Sequence, residues 1–81
     1  MTYYTNYYIH QSNIFGPHGY TGYYISDNYI YGPSGTTGFY ISDNYIYGPE
    51  GYTECYIHEG HIFGPKEKLP WLIEKELYDS G

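Results

Sequence analysis

The ten residues YISDNYIYGP stand at positions 24–33 and again, unchanged, at 40–49. Around them the chain keeps a sixteen-residue step: Gly16-Pro17, Gly32-Pro33, Gly48-Pro49 and Gly64-Pro65. Tyr8-Ile9, Tyr24-Ile25, Tyr40-Ile41 and Tyr56-Ile57 follow the same step, as do Thr5, Thr21, Thr37 and Thr53. A unit this short cannot bury an apolar face by itself, so it must bury that face against its own copies. The sequence therefore divides into a four-repeat region over residues 1–65, with units at about 4–19, 20–35, 36–51 and 52–65, and a distinct segment over 66–81.

Each unit reads as two short strands rich in β-branched and aromatic residues. Between them lie Gln11-Ser12, Asp27-Asn28, Asp43-Asn44 and Glu59-Gly60. Asn and Gly at the second turn position accept the positive φ that a two-residue hairpin turn requires. Successive units join through Gly-Pro-x-Gly, where proline presets φ for a tight turn. The expected fold is all-β: a small, pseudo-four-fold symmetric barrel of four β-hairpins with a short C-terminal helix. Closure would remove the exposed strand edges that invite aggregation. A parallel β-solenoid with a sixteen-residue coil is the rival architecture.

A two-residue turn at 27–28 sets Ile25 opposite Ile30 and Ser26 opposite Tyr29. Alternation then places Thr21, Tyr23, Ile25 and Ile30 on one face, assigned to the core, with their equivalents in the other units. Tyr7, Phe39 and Cys55 take the place of Tyr23 on that face. The opposite face carries Tyr8, Tyr24, Tyr40 and Tyr56, then Asn13, Tyr29, Tyr45 and His61, then Phe15, Tyr31, Tyr47 and Phe63. Gly22 and Gly38 share it, and are expected to let a neighbouring Tyr ring lie flat on the strand.

This order of Ile, two-residue turn, Ile-Tyr, Gly-containing turn and Tyr-Ile resembles the β-flower proteins, and in particular the four-fold β-flower domain. The resemblance covers about Thr5 to Pro65. It implies a shallow barrel with a central channel, distantly similar in shape to Tubby-type barrels, and no established activity. Tubby-like barrels suggest lipid binding, but the repeats contain no counterparts of the basic residues that would meet a phosphoinositide headgroup.

In the C-terminal segment Pro70 suits the first turn of a helix, which the composition extends over Trp71 to Tyr78. Leu69, Leu72, Ile73 and Leu77 fall on one side of it. So short a helix must dock, either as a cap on its own barrel or on a partner.

Charge narrows the function. The net charge is −6, and Lys66, Lys68 and Lys75 are the only basic residues. A chain so charged would repel a phosphate backbone, which argues against nucleic acid and against anionic membrane surfaces. No run of residues reaches the length of a membrane span. The first ten residues, MTYYTNYYIH, lack the basic and apolar character of a signal peptide. Cys55 is the single cysteine, so no disulfide staples the fold, and a reducing, cytoplasmic setting is expected.

No residue pattern points to catalysis. Cys55 takes a core position, and Asp27, Asp43 and Glu59 are explained by turn chemistry. His58, His61 and Glu59, with His10 in the neighbouring unit of a closed ring, match no metal motif and are read as surface; neither metal nor cofactor is expected. What remains is tyrosine, present fifteen times. Rings repeated on one face can anchor a protein or stack on a flat ligand. The expectation is a non-enzymatic binding or assembly module that offers Tyr8, Tyr24, Tyr29, Tyr31, Tyr40, Tyr45, Tyr47 and Tyr56 to a protein partner or to itself. The alternative is a binder of a small apolar or lipid-like ligand in the central channel.

Overall fold

A computed structural model describes residues 3–73. Eight strands lie between the expected turns: β1 (Tyr4–His10), β2 (Asn13–Gly16), β3 (Gly19–Ser26), β4 (Tyr29–Gly32), β5 (Gly35–Ser42), β6 (Tyr45–Gly48), β7 (Gly51–His58) and β8 (His61–Phe63). Each pairs antiparallel with its sequence neighbours, and β1 pairs with β8, so the sheet closes into a barrel. The rival solenoid is thereby excluded. Ile25 stands opposite Ile30 and Ser26 opposite Tyr29, as the turn geometry requires.

All four hairpin turns have positive φ at both central residues. The values are 51° and 68° at Asp27-Asn28 and at Asp43-Asn44, and 50° and 80° at Glu59-Gly60. That is the turn whose twist matches the strands it joins. Neighbouring hairpins interlock at these turns. The N–H groups of Ile9, Ile25, Ile41 and Ile57 donate to the carbonyls of Gly60, Ser12, Asn28 and Asn44, at 2.7–2.8 Å.

The Gly-Pro side is bent by a bulge in every unit. Asn6, Gly22, Gly38 and Glu54 hold φ of 72°, 88°, 84° and 71°, where the register between hairpins shifts. One extra residue on one strand increases local twist and curvature, which a sheet of only eight short strands needs in order to close. This corrects the role expected of Gly22 and Gly38. Their neighbours are Pro33 and Pro49, and their freedom serves left-handed backbone. Rings do lie flat on glycine, but inside the barrel: a Cβ on Gly32 would stand 2.6 Å from the Tyr23 ring, and one on Gly48 2.7 Å from Phe39.

The threonine before each bulge fastens it. Thr5, Thr21, Thr37 and Thr53 each donate from Oγ1 to the carbonyl of Ile62, Ile14, Ile30 or Ile46 on the adjoining hairpin, at 2.7–2.8 Å. The same oxygen accepts the N–H two residues on, from Tyr7, Tyr23, Phe39 or Cys55, at 3.1–3.2 Å. Threonine on an otherwise apolar face is thus a clasp across the bulge. Thr37→Val keeps the volume and removes both bonds. We expect it to cost about 1–3 kcal/mol, because two backbone groups lose their partner. Thr37→Ser should recover most of the loss in urea unfolding, and an unchanged midpoint for the valine variant would dismiss the clasp.

Inside, Ile14, Ile30, Ile46 and Ile62 are no more than 1% exposed. Tyr7, Tyr23, Phe39 and Cys55 pack with them toward the Gly-Pro turns, and the half-buried Ile9, Ile25, Ile41 and Ile57 toward the hairpin turns. An eight-stranded barrel has an interior just wide enough for side chains to fill, and here apolar side chains occupy it where the resemblance implied a channel.

The C-terminal segment covers one end. A 3-10 turn at Lys66–Lys68 leads into a helical turn over 70–73. Leu69 and Pro70 are fully buried, and Leu72 and Ile73 pack against the core. Trp71 belongs to this buried side as well, although the helical spacing had placed only Leu69, Leu72, Ile73 and Leu77 there. Its ring rests against Tyr7 at 5.3 Å and Tyr23 at 5.6 Å between centroids. Residues 74–78 of the expected helix, Leu77 among them, lie outside the described residues.

Candidate aromatic binding surface

Strand alternation, with Thr and Ile held inward, turns the Tyr of each Tyr-Ile pair outward. In every hairpin it meets the aromatic residue across the strand pair. Tyr8–Phe15, Tyr24–Tyr31, Tyr40–Tyr47 and Tyr56–Phe63 are stacked, with centroids 5.3–5.6 Å apart and planes within 10–14° of parallel. These are non-sandwich pairs in the favourable separation range, so each adds to strand pairing as well as surface.

Further rings extend three of the stacks. Tyr20 leans on Phe15 and Tyr52 on Tyr47, at 5.5 and 5.4 Å, and Tyr4 leans on Phe63 at 5.4 Å. Across hairpin boundaries Tyr29 meets Tyr40 at 6.3 Å, and Tyr45 meets Tyr52 edge-on at 5.6 Å. His61 links the fourth hairpin to the first through Tyr4 and Tyr8. Of the eight tyrosines singled out from sequence, Tyr8, Tyr24, Tyr29, Tyr40 and Tyr45 are exposed, while Tyr31, Tyr47 and Tyr56 are half-buried beneath their partners. Tyr4, Tyr20 and Tyr52 belong to the same surface and were not among those eight. Alternation back from Tyr8, Tyr24 and Tyr56 turns them outward as well, and the register shift at the bulge sets them opposite Phe63, Phe15 and Tyr47. Partial burial, then the neighbouring Tyr45, pushes the Tyr52 phenol above its ordinary pKa.

Among the described residues the histidines and acids do not converge on one site. His58 faces His61 across the last turn and lies 3.6 Å from Glu59, with both partners well exposed. His10 stands opposite Asn13 and packs its edge on Phe15. Among the described residues no three His, Cys, Asp or Glu side chains are gathered as a metal would need. Cys55 is buried and donates its thiol to the Pro65 carbonyl at 3.3 Å. Burial pushes its pKa up despite the Thr53 hydrogen bond, and Glu67 and Glu54 push it further, so the unreactive thiol form is favoured at neutral pH.

Two grooves flank the C-terminal segment. One, of about 400 Å³, lies beside the Gly48–Gly51 turn between Tyr52, Lys68 and Ile73; the other, of about 460 Å³, lies among Tyr3, Tyr4, Glu54, Lys66 and Glu67. Each mixes lysine with glutamate, so neither concentrates charge of one sign. No helix among the described residues is long and apolar enough to cross a membrane.

The fold and surface together define a closed, eight-stranded antiparallel barrel with aromatic stacks on its outside and an apolar interior of isoleucine and aromatic side chains. Comparison with protein-family models, with curated proteins and with solved structures returns no match.

Proposed function

We propose that the protein is a non-enzymatic binding module of the cytoplasm that presents its outer aromatic surface to a protein partner. The observation that carries this reading is the repetition of one stacked ring pair on every hairpin, facing outward from a barrel whose interior is packed with apolar side chains. Large, half-exposed rings held rigid by their neighbours provide contact area at low entropic cost, which is why Tyr is enriched at protein interfaces. The same interior packing, with Trp71 over one end, favours the outer surface over a channel ligand. A binding role without catalysis is consistent with a buried, protonated Cys55. The repeated hairpins around one axis also support the β-flower assignment.

The double variant Tyr24→Ala/Tyr40→Ala removes the outward ring from two stacks and leaves the inward face untouched. We expect proteins captured from the native host's extract by the wild type to be lost by at least about tenfold with the variant, the size of a hot-spot effect. Circular dichroism should still report a folded barrel. An unchanged captured set would refute the reading, and wholesale unfolding would show that the rings serve the fold instead. Light scattering across concentration distinguishes a partner from a second copy, since assembly through the belt predicts a mass that rises with concentration.

A further inference from the structure

The four stacks are not equivalent. Phe15, Tyr47 and Phe63 each touch a second tyrosine beyond their own stack, namely Tyr20, Tyr52 and Tyr4. The equivalent partner of Tyr31 is Thr36, an exposed residue whose hydroxyl is occupied by the Gly38 N–H. On the other flank, Tyr8 is bordered by His61 and Tyr40 by Tyr29. The residue opposite Tyr24 is Asn13. Among the described residues, Tyr24 and Tyr31 therefore touch no ring but each other. One stack is flanked by Thr36 and Asn13 at positions where the other repeats carry a ring.

Charge selects what kind of planar group fits. Up to Pro65 the chain contains no Lys or Arg, while Asp27, Asp43, Glu50, Glu54 and Glu59 are all exposed. Hairpin β3–β4, which carries the isolated stack, has Asp27 in its turn and no histidine. Ring faces attract cations through their quadrupole, and surrounding carboxylates add a favourable long-range field. A second copy of this chain, at −6, would meet like charge instead.

We propose that the isolated Tyr24–Tyr31 stack is a docking point for an arginine side chain in a basic segment of a partner protein. The guanidinium is planar, weakly hydrated and permanently charged, and lies over Tyr31 in the place that Tyr20 and Tyr52 occupy in other repeats. The proposal rests on the outer surface being a binding face and specifies the chemistry it recognises.

The test uses the full chain and three acetylated, amidated peptides of glycine and serine carrying three arginines, three lysines or three glutamines. Binding is followed by calorimetry and by amide chemical shifts. The arginine peptide should bind most tightly, weaken as sodium chloride rises from about 50 to 500 mM, and shift the amides around Tyr31 and Thr36. Thr36→Tyr completes the stack with the residue that the other three repeats already carry, at Tyr4, Tyr20 and Tyr52, so it should fold normally. It should weaken the arginine peptide about 3- to 30-fold, the span of one cation–π contact. Equal binding of the glutamine peptide, indifference to Thr36→Tyr, or no binding of the arginine peptide would each overturn the proposal. If the arginine peptide fails while Tyr24→Ala/Tyr40→Ala still strips the captured proteins, the cationic assignment falls and the binding face stands. If that captured set is unchanged, the binding face itself falls.

Discussion

Trp71→Ala is expected to destabilise the barrel by about 3–5 kcal/mol, the cost of emptying a buried aromatic site. Trp71 is only 7% exposed and bears on Tyr7 and Tyr23, which themselves lie over Gly16 and Gly32. Truncation would open the end of the barrel nearest the Gly-Pro turns and remove the indole that rests on both phenol rings. For a domain of this size such a loss corresponds to a fall in Tm of about 12 °C or more. Trp71→Phe should behave differently. The indole Nε1 is buried with no hydrogen-bond partner among the described residues, so losing it relieves a desolvation penalty that partly offsets the lost area. We expect the phenylalanine variant to lie within about 1.5 kcal/mol of the wild type. Urea unfolding followed by far-UV circular dichroism measures both. An alanine variant within about 1 kcal/mol of the wild type would mean that the segment merely leans on the barrel.

The second large effect is expected at Gly64, where the repeat ends and the C-terminal segment begins. Its φ is +123°, and a Cβ there would stand 2.6 Å from the Glu54 carbonyl oxygen and 2.8 Å from the Cys55 Cα. Both obstacles are backbone of β7, so no side-chain rotation relieves them. The Gly64 N–H also donates to the Tyr3 carbonyl at 2.8 Å, which ties this residue to the start of β1. Gly64→Ala should therefore cost about 2–5 kcal/mol, combining left-handed strain with overpacking. Gly35→Ala is the internal comparison: its φ is +116°, but a Cβ would meet nothing within 4 Å. It should lose only the conformational part, about 1–2 kcal/mol. Equal losses at the two positions would show that conformation alone matters and that the contact with β7 does not.

Both effects lie where the four-fold pattern is broken, and they divide what was legible in the residues from what was not. The hairpins were legible because their causes are local. Asp27-Asn28 carries its own turn preference, and alternation over three or four residues decides that Ile30 points inward and Tyr31 outward. The candidate surface followed from the same rule, so Tyr8, Tyr24, Tyr40 and Tyr56 were found on the outer side. Tyr4, Tyr20 and Tyr52 share that side by the same count, but the rings they meet, Phe63, Phe15 and Tyr47, are set by the register shift at the bulge, which the count does not contain. Thr5 and its equivalents were visible as a period, but their purpose was not: the carbonyl that Thr5 binds belongs to Ile62, 57 residues away.

Spacing along the chain thus determined the repeat, the turns, the strand partners within each unit and the side to which each ring belongs, since all of these follow from short-range sterics. Folding in three dimensions decided how β1 meets β8, that Trp71 enters the core, which glycines lie under rings and which serve a bulge, and that among the described residues one ring pair touches no further ring. Those outcomes depend on curvature summed around the whole ring and on contacts between distant residues, and curvature cannot be read from a period.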